Sequence, residues 1–177
     1  LSGLSSGSLV ALRQLIVRQP ESPGLFAMAA HMIQALDPVD AGWDFAQLLE
    51  QDRTAEIAES VAITEAGGTD VIDSIASGSL GAGSVEVLCP AGTGAWIEHA
   101  RAGGRSVVIV APVGSRLPAL MWTGFLERSG LGAGESMTGG PERIALDCFD
   151  DLIGPDGVQP ISAWAPDCPD VAEIARF

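Results

Sequence analysis

Val85-Glu86-Val87-Leu88-Cys89-Pro90-Ala91-Gly92-Thr93-Gly94, then a helical stretch over 95–102, Gly103-Gly104 and Ser106-Val107-Val108-Ile109-Val110, is the segment whose reading decides the fold. Two short valine-rich runs bounded by Gly or Pro read as strands. Between them lie a loop and one short helix. Strand, helix and strand in that order make a βαβ unit, whose long crossover favours parallel neighbours. The second run has no polar alternation, the pattern of a strand buried on both faces. The expected fold class is therefore α/β, with strands 85–88 and 106–110 adjacent and parallel.

Upstream of residue 84 the apolar period is helical. Ser22-Pro23 and Asp37-Pro38 each pair a capping residue with proline at the first helical position. Leu25, Met28, Ala29, Met32, Ile33 and Leu36 then recur at spacings of three and four. Further helices are expected over 9–17, 53–66 and 69–76. Downstream, a helix over 117–128, a strand over 143–146 and a turn at Asp156-Gly157 complete the pattern. The division is a helical N-terminal region, 1–80, followed by an α/β domain, 81–177.

Composition excludes several classes. The chain has 177 residues, 47% of them apolar, and a net charge of −14. All nine cationic residues are arginine. Without lysine there is neither a Schiff base nor a phosphate-binding loop of the lysine type. An acidic chain with no basic run is not expected to bind nucleic acid. No stretch is long and apolar enough to span a membrane, and no signal peptide is readable at the start. Three cysteines in a chain able to build a core point to a reducing cytoplasm. His31 and His99 pair with no second ligand at metal spacing, so no metal is expected. Gly92-Thr93-Gly94 lacks the third glycine of a dinucleotide loop, and no acid ends the second strand, so no cofactor is expected.

Three side chains stand where strands of an open α/β sheet deliver ligand-binding groups. Cys89 ends a strand before a helix N-terminus, which would favour its thiolate; otherwise it is a buried thiol. Arg116 follows the next strand, and its plain alternative is a salt bridge. Asp151 follows the run 144–150, and its alternative is a turn or cap carboxylate. A thiol, a carboxylate and a guanidinium on one edge suit proton shuttling on an anion, with Gly92 and Gly94 offering backbone amides. The apolar residues Leu117, Leu120, Met121, Trp122 and Phe125 exceed one helix face, which suggests a homodimer.

In these residues the chain resembles the translation initiation factor 2B-related family, which includes methylthioribose-1-phosphate and ribose-1,5-bisphosphate isomerases. The carrying motifs are Val87-Leu88-Cys89-Pro90, Gly104-Arg105, Val107 to Val110, Ser115-Arg116-Leu117-Pro118, Asp151, Asp156-Gly157 and Ala172-Glu173-Ile174-Ala175-Arg176-Phe177, spanning about residues 70–177. The resemblance implies a Rossmann-like domain after the helical region. It also implies aldose–ketose isomerisation of a phosphorylated sugar, with Cys89 and Asp151 exchanging protons and Gly92, Gly94 and Arg116 holding substrate. Two departures stand out: Phe149-Asp150 replaces Gly-Ala before Asp151, and Val158-Gln159-Pro160-Ile161-Ser162 stands where the family has Asn-Lys-x-Gly-Thr. The alternative is a non-catalytic regulatory or scaffold protein of the same fold, holding at most a sugar- or nucleotide-phosphate.

Overall fold

The computed structural model describes residues 5–64, 67–131 and 139–175. Four helices come first: α1 (Ser6–Arg18), α2 (Pro23–Gln34), α3 (Pro38–Glu50) and α4 (Thr54–Thr64). Asp37 caps α3, its Oδ1 accepting the N–H groups of Val39 at 3.0 Å and Asp40 at 3.1 Å. Then come β1 (Thr69–Asp73), β2 (Ala76–Gly81), β3 (Ser84–Cys89), α5 (Thr93–Ala102), β4 (Ser106–Val110), β5 (Arg116–Leu117) and α6 (Ala119–Arg128). The chain ends through β6 (Glu142–Ala145), β7 (Asp151–Gly154), β8 (Gly157–Pro160) and α7 (Ala172–Ala175).

The strands form two mixed sheets, so the class is α/β. Sheet A has the order β1-β4-β7-β8, its first three strands parallel and β8 antiparallel. Sheet B has the order β5-β2-β3-β6, antiparallel except where β5 meets β2.

Two expectations about strands are corrected here. Residues 69–76 are not a helix, because Thr69–Asp73 pairs with Ser106–Val110 as β1. The β-branched Thr69, Val71 and Ile72 suit a strand, and the acidic Asp70 between them is tolerated through an ion pair to Arg105 at 2.7 Å. Nor do β3 and β4 pair, since they lie in different sheets. β3 instead folds back on β2 through Ala82 (φ 52°) and Gly83 (φ 83°), two left-handed residues as a type I′ hairpin loop requires. A local hairpin closes at lower entropic cost than a distant parallel pairing.

Three hydrophobic cores separate four layers. Ala58, Val108, Val110 and Ile153 pack between α4 and sheet A. Val87, Cys89, Ile97, Val107, Ile109 and Leu152 fill the space between sheet A and the layer of α5 and sheet B. On the far side of sheet B, Leu88 and Leu117 meet α1, α2, α3, α6 and α7. Met121 and Trp122 are both fully buried in this last core. Sheet B and other helices cover Met121, Trp122 and Phe125 of α6 within the chain, while Leu120 stays 44% exposed. Among the described residues no helix is long and apolar enough to cross a membrane.

The closest approach in this core is at Gly78 of β2, where an added Cβ would sit 2.1 Å from ring atoms of Trp122. Nothing short of moving the indole accommodates a methyl group there. Gly78→Ala should therefore lower stability by about 3 kcal/mol, the upper end for overpacking a core. Urea unfolding measures it, and a loss below about 0.5 kcal/mol, within the range of ordinary surface changes, would contradict the contact.

Candidate functional site

Cys89 closes β3 because Pro90 cannot continue the ladder and Gly92, at φ 86°, turns the chain into α5. Its side chain is fully buried in the core between the sheets. Burial pushes the thiol up to about 12, and the nearby Glu142 carboxylate adds to the rise. The thiolate expected from the adjoining helix N-terminus is thus disfavoured. The positive end of that helix is directed at another group.

That group is Glu142, the first residue of β6 and the ladder partner of Cys89. Its Oε1 accepts the Gly92 N–H at 2.7 Å and its Oε2 the Gly94 N–H at 2.8 Å. The two amides expected to hold a substrate anion hold a carboxylate of the same chain. These hydrogen bonds, Gly94 first and then Gly92, lower the Glu142 pKa against a smaller opposing effect of desolvation. Thr93 completes the turn, its hydroxyl donating to the Pro90 carbonyl at 2.7 Å.

Arg116 opens β5, opposite Ser77 of β2. Its Nε faces Asp167 Oδ2 at 3.4 Å, and both side chains are largely buried. The same oxygen accepts the Gly114 N–H at 2.8 Å, while the Asp167 N–H donates to the Arg116 carbonyl at 3.0 Å. Asp167 Oδ1 is buried with no hydrogen-bond partner among the described residues. Burial raises the Asp167 pKa, with Arg116 and the Gly114 amide opposing. His31, in α2, packs its ring on Phe45 and places Nε2 3.1 Å from the Asp167 carbonyl.

Asp151 lies elsewhere. It is the first residue of β7, opposite Val108 of β4, and is half-buried. The expectation placed it at a carboxyl end; the extended run starts at Asp151, so it sits at the amino end. Cys89 and Arg116 share sheet B but are separated by β2, and Asp151 belongs to sheet A. The cavity of about 260 Å³ beside the Cys89 loop is lined by Val71, Ile72, the loop 90–93 and Trp96, and by none of the three. Among the described residues, no three or more His, Cys, Asp or Glu side chains group as metal ligands would.

Sequence reasoning missed Glu142 and Asp167, the partners that fill the site. Their only local signal is a preceding proline, in Pro141-Glu142 and Pro166-Asp167. Nothing in the spacing of either residue connects it to Gly92 or Arg116.

The two carboxylates have opposite pH signatures. A depressed pKa means Glu142 stabilises the fold above its unfolded pKa and loses that effect as pH falls through the lower folded value. Glu142→Ala should cost about 1 kcal/mol near neutral pH, the scale of a helix cap, and the difference from wild type should vanish in acid. A raised pKa gives Asp167 the reverse sign: its contribution is present below the unfolded value and is lost as pH rises through the folded one. Melting curves of wild type and Asp167→Asn from pH 7 to pH 4 should therefore show wild type gaining on the variant as pH falls. A constant difference would refute the burial of that charge.

No protein-family model matches the chain, and no curated protein matches it.

Proposed function

We propose that the chain is a non-catalytic member of the initiation factor 2B-related fold, a binding or scaffold protein. The observation that carries this reading is that the groups an isomerase needs are already engaged within the protein. Glu142 occupies the Gly92 and Gly94 amides, Asp167 occupies Arg116, and the Cys89 thiol is buried. General acid–base catalysis needs its groups within hydrogen-bond reach of the substrate protons. A fully buried thiol and a carboxylate in another sheet do not offer that arrangement. The order of sequence motifs supports the family. The parallel β1-β4-β7 core, with α4 on one face and α5 on the other, supports a Rossmann-like domain. Three free cysteines suit a reducing cytoplasm.

Purified protein should turn over neither methylthioribose 1-phosphate nor ribose 1,5-bisphosphate, and neither should raise its melting temperature. A bound ligand at a hundredfold its dissociation constant would add about 2.7 kcal/mol, an unmistakable shift. Turnover that Cys89→Ser and Asp151→Asn each abolish would replace this reading with the isomerase.

A further inference from the structure

Strand β1 ends sheet A, and among the described residues no strand pairs with its outer edge. Successive peptide groups of a strand point to opposite edges. The Gly68 carbonyl accepts the Ser106 N–H at 2.9 Å, so the peptide groups of 68, 70 and 72 face β4. Those of Val71 and Asp73 face outward. Two of the other three edges are blunted: the β5 edge is taken at the Arg116 carbonyl by the Asp167 N–H, and β8 ends in Pro160. β1 has five residues and no proline.

Beside this edge lies the cavity of about 260 Å³ whose lining carries no charged side chain. The Val71 side chain packs towards α4, so it is the Val71 main chain that borders the cavity. Trp96 also lines the cavity and is 60% exposed. An edge offering main-chain donors and acceptors next to a pocket for one side chain is the arrangement used in strand addition.

We propose that β1 is a docking edge for an extended peptide segment of a partner protein, which adds as a fifth strand to sheet A and places an apolar side chain against Trp96. A second copy of this chain fits less well. On the α5 side β1 presents only Asp70 and Ile72, one ion-paired to Arg105 and the other packed in the core, so a second β1 brings nothing to fill the cavity. The net charge of −14 further favours a segment without acidic residues. The edge is open whether or not the chain turns over a sugar phosphate, so this inference is independent of the reading above.

The test selects short random peptides displayed on phage against the full chain, then uses the recovered peptides as synthetic probes. Binding should shift the Val71 and Asp73 amide resonances and slow their hydrogen exchange. Methylating alternate backbone nitrogens of the peptide should abolish binding. Trp96→Ala should weaken it at least about tenfold, with the melting temperature unchanged. Val71→Pro removes an outward N–H that β4 does not use, and should also block binding; if that variant does not fold, Trp96→Ala and the methylated peptides decide. The proposal is overturned if no peptide is recovered, or if the peptides bind Trp96→Ala and survive methylation. It is equally overturned if the chain alone scatters light as a dimer that Val71→Pro returns to monomer, for then a second copy holds the edge.

Discussion

Val107 and Ile109 point from β4 into one core, while Val108 and Val110 point into another. Such a strand is stable only where apolar layers cover both of its faces, and each buried valine contributes about 1.5–3 kcal/mol. The remaining layers follow from that demand. β1 and β7 satisfy its two edges, and α4 closes one face. The other face needs more width than α5 alone supplies, and the β2–β3 hairpin with β6 supplies it. Sheet B then has an outer face of its own, carrying Ala76, Leu88 and Leu117, which the N-terminal helices and α6 must cover. Gly78 belongs to this chain of dependence, because Trp122 can lie flat on β2 only where no Cβ stands.

An excess of carboxylates is a structural resource here as well as a surface charge. With nine arginines against twenty-three acids and no lysine, most carboxylates have no cation to pair with. Several turn to main-chain N–H groups at the joints between elements. Asp52 accepts the Val113 N–H at 2.8 Å, tying the end of α3 to the loop after β4. Asp150 accepts the Val107 N–H at 2.8 Å ahead of β7. Asp170 accepts from Leu120 at 3.1 Å and Met121 at 3.3 Å, capping α6 from a distant part of the chain where Pro118 offers no side-chain cap. Glu142 and Asp167 belong to the same set. Bonds to a charged acceptor are stronger than neutral ones, and here they satisfy N–H groups of helices, strands and loops alike.

The legible parts of the fold were those decided within a few residues. Pro23 and Asp37-Pro38 mark helix starts, Gly103-Gly104 marks a stop, and the unalternated run 106–110 announces a strand buried on both faces. What failed were decisions made by distant partners. The helix expected over 69–76 gives way to the pairing of Thr69–Asp73 with Ser106–Val110, where Arg105, thirty-five positions after Asp70, neutralises the acid. The parallel pairing of 85–88 with 106–110 ignored the turn at Ala82-Gly83, which offers β3 a nearer partner. Residues 132–138 lie outside the described residues, as do Arg176 and Phe177 of the closing motif.

The candidate site divides in the same way. Cys89, Gly92 and Gly94 stand where the sequence places them, at a strand end and a helix start, because proline and glycine fix that turn locally. What they do there depends on Glu142, about fifty residues away, and no spacing rule reports it. A helix N-terminus attracts whichever anion reaches it first. In a chain with this many carboxylates, a tethered one has a large advantage over a dissolved phosphate, since the chain has already brought it near. The same holds for Arg116 and Asp167. The sign of the charge balance therefore bears directly on the reading of the site: an acidic chain that offers a few cationic or amide groups tends to satisfy them from within. An external anion must displace a resident carboxylate before it can bind.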